Sequence, residues 1–309
     1  LQHQAKPEIS QPWIAVFAGD HGVMEENISA YPQAVTRQML QNFASGGACI
    51  SVIAKEYNAA LQVIDCGSVG GAYEYAGVER HCIIPGTANF AKQAAMTEQQ
   101  CMQAMNLGRL SADKALQQGA SIYVAGEMGI GNTTTSAAVA AVLIRADARS
   151  LVGRGAGLSD ASLARKRDVV ERAIDANSPD PADPIDVLSK VGGFDIAAMC
   201  GFYLGAAASK APALLDGVIS CTAALCAARL CPNALGYLVG THASSEPASQ
   251  ELLRELGIKA PLDAGMHLGE GAGAMAYLPL LDSALRVYRD GKTFTATGMA
   301  AYEHFEAGK

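Results

Sequence analysis

The chain has no block of lysine or arginine: 23 basic residues are dispersed among 30 acidic ones, giving a formal charge of −7. Nucleic acid and anionic membrane surfaces both select for concentrated positive charge, so neither is an expected partner, and a small molecule is favoured. Long apolar runs are also missing. The longest, residues 194–208, carries Asp195 and falls short of a membrane span, and no signal peptide opens the sequence. The expectation is a soluble, cytoplasmic protein with no membrane association. The eight cysteines include no CxxC pair and no histidine at zinc-ligand spacing, so they read as reduced core residues. Even Cys221, Cys226 and Cys231 recur every five residues, a spacing that walks around a helix instead of converging on a metal. A Walker A lysine, a GxGxxG fingerprint and a GxSxG elbow are all absent, which weakens the common nucleotide and esterase readings.

Aromatic residues are scarce at 6%, whereas there are 32 glycines and half the chain is hydrophobic. That balance suits helices packed closely on a sheet and pockets lined by backbone. A length of 309 residues accommodates one large α/β domain, with or without a small companion.

The chain is organised around residues 121–143, SIYVAGEMGIGNTTTSAAVAAVL. A short apolar strand over 122–125 runs into a turn bearing Gly126, Gly129 and Gly131, and a small-residue helix starts near Asn132 or Thr133. The polar run from Asn132 to Thr135 offers caps beside unpaired helix N–H groups, an anion-ready arrangement. Glu127 lies inside this loop. Its carboxylate would repel an adjacent phosphate, so it is expected to face a sugar hydroxyl or a developing positive charge.

Around that stretch, strand, polar turn and helix alternate. WIAVFAGDHGV, from Trp13, is a buried strand delivering Asp20 and His21 either to a turn that holds the strand end or to a ligand. A helix follows Pro32, a second runs to about Tyr57, and residues 60–68 form a strand. A short edge strand is expected within 81–90, and a helix over 97–118 with Thr97 as its cap. A second glycine loop, Gly153, Arg154, Gly155, Ala156 and Gly157, precedes a helix carrying Arg165, Lys166 and Arg167. This is either a phosphate cradle or a turn followed by a solvated charged face. Asp195 opens another small-residue helix, where it either complements the helix dipole or binds a ligand hydroxyl. Within 212–220 a strand ends at Asp216 and Gly217 with a helix after it, another strand runs from Leu235 to the polar residues Thr241, His242, Ser244 and Ser245, and Glu270 stands between Gly269 and Gly271 before a last apolar helix. These units predict an α/β fold with a mostly parallel sheet, helices on both faces and functional loops at one edge.

From the residues alone, the chain reads as a transferase or hydrolase for a phosphorylated sugar-like molecule, with a nucleotide-binding module as the alternative. Lys166 and backbone amides would hold phosphate, carboxylates would hold hydroxyls, and one carboxylate would act as base.

The ordered segments FAGDHGV, SAYPQAVTRQM, GEMGIGNTT, VGRGAGLSD, GGFDIAAM, LLDG and LGEGAGA closely resemble those of the nicotinate-nucleotide:dimethylbenzimidazole phosphoribosyltransferases, from Trp13 to Tyr288. The resemblance implies transfer of phosphoribose from nicotinate mononucleotide to 5,6-dimethylbenzimidazole, giving α-ribazole 5′-phosphate for the lower ligand of cobalamin. It implies a homodimer and no metal or dissociable cofactor. It further implies a Rossmann-like large domain over 12–265, and a small helical domain built from 1–11 and 266–309. By matching position, Glu270 is the general base. Glu127, Gly129, Gly155, Gly157, Lys166, Asp195, Gly217 and Ser244 fall on contacts to phosphoribosyl or nicotinate. Tyr31, Gln38, Met128 and Leu268 fall on the aromatic-base pocket. Two departures stand out. The opening shares only Lys6 and Pro7 with a KPxGSLG-like family motif, so part of the small domain is expected to be missing. Ala243 also stands where an arginine often follows the histidine. A binder without chemistry, or a transferase for another lower-ligand base, is the alternative.

Overall fold

The first strand, β1 (Pro12–Gly19), is apolar and buried throughout, and its successive residues divide the core in two. Trp13, Ala15 and Phe17 enter one buried cluster, whereas Ile14, Val16 and Ala18 enter another. Successive strand side chains point to opposite faces, so this division requires cover on both sides of the sheet. The computed structural model describes residues 5–155 and 157–300. Ala156 of the second glycine loop, and the outermost parts of the expected small domain, lie outside the described residues.

The remaining strands are β2 (Ala60–Gly67), β3 (Val78–Arg80), β4 (Ile122–Met128), β5 (Ala213–Leu215) and β6 (Leu238–Gly240). All paired strands are parallel, in the order β3-β2-β1-β4-β5-β6. This is the Rossmann-like doubly wound order. The winding reverses between β1 and β4, which opens a crevice at their carboxyl ends.

The smaller core cluster is covered by α1 (Ala34–Ser45), α2 (Cys49–Glu56) and the first turns of α11 (Ala272–Asp290). The larger cluster lies under α3 (Glu98–Gln117), α4 (Asn132–Ile144), α5 (Ala148–Leu151), α6 (Asp160–Asn177), α7 (Pro184–Val191), α8 (Phe194–Ala208), α9 (Val218–Leu230) and α10 (Ala248–Leu256). Helices α3 and α8 meet backbone to backbone. A Cβ on Gly108 would lie 1.8 Å from the Ala198 carbonyl oxygen, and one on Gly201 would lie 1.9 Å from that of Met105. Beyond Leu278, α11 and then α12 (Phe294–Thr297) are largely exposed.

Several local expectations are corrected. The edge strand is Val78–Arg80, ahead of residues 81–90, because its three residues pair with Val63, Ile64 and Asp65 of β2. Strand β5 closes at Leu215, just short of the expected end at Asp216 and Gly217, and the helix expected after it, α9, begins at Val218. Thr97 does form a reciprocal capping box with Gln100. The cysteines are all free, yet Cys49 and Cys231 are exposed because each sits at a helix boundary and not on a packed face.

Candidate active site

Strand β4 runs three residues further than its apolar segment predicts, and Glu127 therefore belongs to the strand and not to the following loop. Pairing with β1 extends through Phe17–Glu127 and Ala18–Met128, and this ladder keeps the backbone extended. The Glu127 side chain is 8% exposed, and its Oε2 accepts from the Asn132 amide. Burial pushes its pKa up to about 8, helped by the charges of Asp195 and Asp216 and opposed by Asn132 and the Glu270 backbone N–H. Asn132 thus turns toward the carboxylates. The N-cap position of α4 is held by Gly131, with no side-chain cap, which corrects the capping role expected for the polar run.

After β1, the buried Asp20 and His21 reach different neighbours. Asp20 accepts from the Thr36 hydroxyl at 2.7 Å and from the Val69 N–H at 2.8 Å, tying α1 and the loop after β2 to the strand end. His21 Nε2 lies 3.2 Å from Asp195 Oδ2, and its Nδ1 lies 2.9 Å from the Thr135 hydroxyl. Asp195 is fully buried in the first turn of α8, and the Asn132 amide approaches it at 3.4 Å. It therefore binds side chains as well as complementing the helix dipole. Gly129 permits this crowding: a Cβ there would sit 2.3 Å from the Gly19 carbonyl oxygen and 3.0 Å from Asp195 Oδ2.

Glu270 occupies an unusual turn. Gly269, Glu270 and Gly271 have φ of 84°, 65° and 86°, three successive left-handed residues. For glutamate this conformation costs of order 1 kcal/mol, so the surroundings must hold it. The Glu270 carbonyl packs on β4 so closely that a Cβ on Gly126 would lie 2.1 Å from its oxygen. The side chain is 7% exposed, and its Oε2 accepts from the Ile50 N–H at the start of α2 at 3.3 Å. Burial raises its pKa above the ordinary 4.5, the Ile50 N–H opposes that shift, and the charge of Asp216 adds to it.

Of the four cations on α6, helix phase buries only one: Lys166 is 1% exposed, whereas Arg165 and Arg172 face solvent and Arg167 is half-buried. Its Nζ donates to the Thr133 hydroxyl at 2.8 Å and to the Gly153 carbonyl at 3.0 Å, bridging the two glycine loops. Burial lowers its pKa to about 8, with Glu246 pulling the other way. Gly155, at φ 53°, donates its N–H to Glu246 Oε1 at 3.1 Å, while Gly157 is open to solvent. A carboxylate therefore occupies the loop amide that a phosphate would use.

Gly217 and Ser244 adjoin, with 3.8 Å between the site of a Cβ on Gly217 and Ser244 Oγ. Met128 is half-buried at the end of β4, whereas Tyr31, Gln38 and Leu268 are exposed on segments flanking the edge. Two surface concavities of about 480 and 430 Å³ lie elsewhere and contain none of these residues. Among the described residues, no group of three or more His, Cys, Asp or Glu could hold a metal ion, and no helix is long and apolar enough to cross a membrane. The sequence reading assigned no role to Glu246, Asp216 or the Ile50 N–H. A polar residue following an apolar strand was the signal for Asp216, and none existed for the other two.

Such an edge, with carboxylates buried at the switch point and a lysine under a glycine loop, fits transfer of a phosphorylated sugar group. A phosphoribosyltransferase family model matches residues 1–299, which sets the class. The chain is 46% identical over 301 residues to the nicotinate-nucleotide–dimethylbenzimidazole phosphoribosyltransferase of Azotobacter vinelandii, covering 97% of this chain and 86% of that protein. The enzyme of the same name from Pseudomonas putida is 46% identical over 300 residues, with the same coverage. CobT from Thermus thermophilus superposes with a TM-score of 0.92 at 39% identity, covering 97% of this chain and 89% of that one. The chain belongs to the nicotinate-nucleotide–dimethylbenzimidazole phosphoribosyltransferase family.

The raised pKa of Glu127 has a consequence for stability. Unfolding would let this carboxyl ionise near 4.5, whereas in the fold it holds its proton to about 8. Its contribution to stability is therefore fully present below the lower value and is lost as pH rises through the upper one. Glu127→Gln should raise Tm at pH 8.5 by roughly 2 °C or more, with the gain shrinking toward pH 5. A Tm difference that stays constant across this range in thermal melts would contradict the assignment.

Proposed function

We propose that the chain transfers the phosphoribosyl group of nicotinate mononucleotide to 5,6-dimethylbenzimidazole, releasing nicotinate and α-ribazole 5′-phosphate for the lower ligand of cobalamin. The observation that carries this reading is the Glu270 carboxylate, buried in a strained turn at the carboxyl edge of the sheet. The family membership and the reactions named for its relatives support it.

The step is a single displacement. One benzimidazole nitrogen forms a bond to the anomeric carbon. The bond from that carbon to the pyridinium nitrogen breaks, and its electron pair neutralises nicotinate's ring. The proton on the other benzimidazole nitrogen passes to Glu270. A desolvated carboxylate is stabilised more by the cationic ring of the transition state than by the neutral ring before attack, so it lowers the barrier. The departing pyridine needs no acid. Asp195 adds negative potential where the pyridinium enters, and a bound cation would favour ionisation of Glu127, which otherwise holds its proton to about 8. Lys166 and the 153–157 loop would hold the 5′-phosphate, which must first displace Glu246. Gly217 and Ser244 would border the nucleotide, and Tyr31, Gln38, Met128 and Leu268 would enclose the incoming base. A homodimer, a cytoplasmic setting, and division into a 12–265 domain and a small helical domain from both ends belong to the same proposal. The free cysteines support a reducing compartment.

Two outcomes check the roles. Removing a charge-assisted contact costs roughly 1.5–3 kcal/mol, so Lys166→Ala should weaken nicotinate mononucleotide binding about ten- to a hundredfold. Nicotinate riboside, which lacks the phosphate, should respond little. Because Lys166 loses its charge as pH rises through about 8, wild-type KM for the nucleotide should climb there and stay flat in the variant. Equal weakening of both ligands in titration calorimetry would make Lys166 structural.

Glu270→Gln should lower kcat about 10²- to 10⁴-fold while substrate dissociation constants change only a few fold. The base acts ionised, so wild-type kcat should fall with decreasing pH through a value above the ordinary 4.5 of glutamate. Turnover within about threefold of wild type in a steady-state assay would transfer the proton to water or to another carboxylate.

A further inference from the structure

The turn that carries Glu270 is held from across the sheet. Gly271 is the N-cap residue of α11 and has no side chain with which to satisfy the helix's first N–H groups. Asp216, just beyond the end of β5 and 3% exposed, does so instead. Its Oδ2 accepts from the Gly271 N–H at 3.1 Å, and its Oδ1 accepts from the Ala274 N–H at 2.9 Å. One carboxylate thereby grips the backbone on the carboxyl side of Glu270.

Two other contacts leave this grip little freedom. On the opposite side of the turn, Gly126 meets the Glu270 carbonyl with no room for a side chain. A Cβ on Gly273 would lie 2.2 Å from His242 Cε1 and 2.9 Å from Asp216 Oδ1, so the imidazole and the carboxylate converge on the same turn of α11. The ring is held in turn by its Nδ1, 3.2 Å from the Thr241 hydroxyl.

The geometry points to Asp216 as a positioning residue for the transfer: by binding the Gly271 and Ala274 N–H groups, it fixes the left-handed Glu270 turn and aims the Glu270 carboxylate at the incoming base. This role rests on Glu270 acting as the base. Asp216 also accepts from the Gly217 N–H and faces His242, and it need not contact either substrate. The groups facing Glu270 are Glu127 from β4, Asp216 just after β5, and Cys49 with the Ile50 N–H from α2; His242, after β6, faces Asp216.

Asp216→Asn tests the assignment. The amide keeps one acceptor oxygen but turns an NH₂ group toward one of the two backbone donors and removes a negative charge beside Glu270. We expect kcat to fall about ten- to a hundredfold with KM for nicotinate mononucleotide within about threefold, and the acid limb of the kcat–pH profile to move to lower pH. In a Glu270→Gln background the same change should cost no further kcat, because it acts through the missing base. Should Glu270→Gln alone turn over within about threefold of wild type, the base reading fails. If Glu270→Gln is inactive but the Asp216→Asn loss multiplies on top of it, or the pH profile does not move, only the positioning role fails. The wild-type chain gives a check that needs no folded variant: amide exchange at Gly271 and Ala274 should be at least about 100-fold slower than in an unstructured peptide. Exchange at unprotected rates would overturn the grip.

Discussion

Four carboxylates, those of Glu127, Asp195, Asp216 and Glu270, are gathered at the carboxyl edge of the sheet with at most 8% of any side chain exposed. Like charges in a poorly solvated place raise one another's proton affinity, and burial does the same; Glu127, Asp216 and Glu270 are all shifted upward. Left uncompensated, such a cluster would unfold the edge or neutralise itself. Much of the surrounding structure supplies the compensation. His21 and Asn132 bind Asp195, Asn132 also binds Glu127, the start of α11 donates to Asp216, and the start of α2 donates to Glu270.

The glycines follow from that crowding. Gly126, Gly129, Gly193 and Gly273 stand where any Cβ would enter a carbonyl, an imidazole or a carboxylate. They let the strand ends, α8 and α11 close on the cluster until each charge has its donors. The remaining negative potential suits a substrate that arrives as a pyridinium and an acceptor that becomes cationic as it reacts. Phosphate sits poorly with that potential. Its proposed place is therefore separate, under the second glycine loop, where Lys166 is buried against Thr133 and Gly153.

The sheet and its helices were legible because continuous apolar runs and polar strand ends are local signals. The Glu270 turn was marked by its two flanking glycines and the apolar helix after it, while the role of its carboxylate was implied by the match of LGEG to the family. Other features depended on partners remote in sequence. Glu127 belongs to the strand because β1 pairs with it, which its neighbours in GEMG do not reveal. Lys166, not Arg165 or Arg167, is buried because of the phase at which α6 meets the loop. The Asp216 grip joins residues 55 and 58 positions apart, and no periodicity reports such a contact. Helix α7 escaped because its eight residues follow a proline-rich connection that reads as loop, although Asp183 caps it well.

The central claim is that this carboxylate-lined edge directs phosphoribose to a nitrogen base and not to water. It is tested most directly by following nicotinate released from nicotinate mononucleotide with and without 5,6-dimethylbenzimidazole, while quantifying the ribosylated products by chromatography. The account predicts slow release from the nucleotide alone, marked acceleration on adding the base, and one α-ribazole 5′-phosphate formed per nicotinate. Release at the same rate without the base, yielding free ribose 5-phosphate, would contradict it.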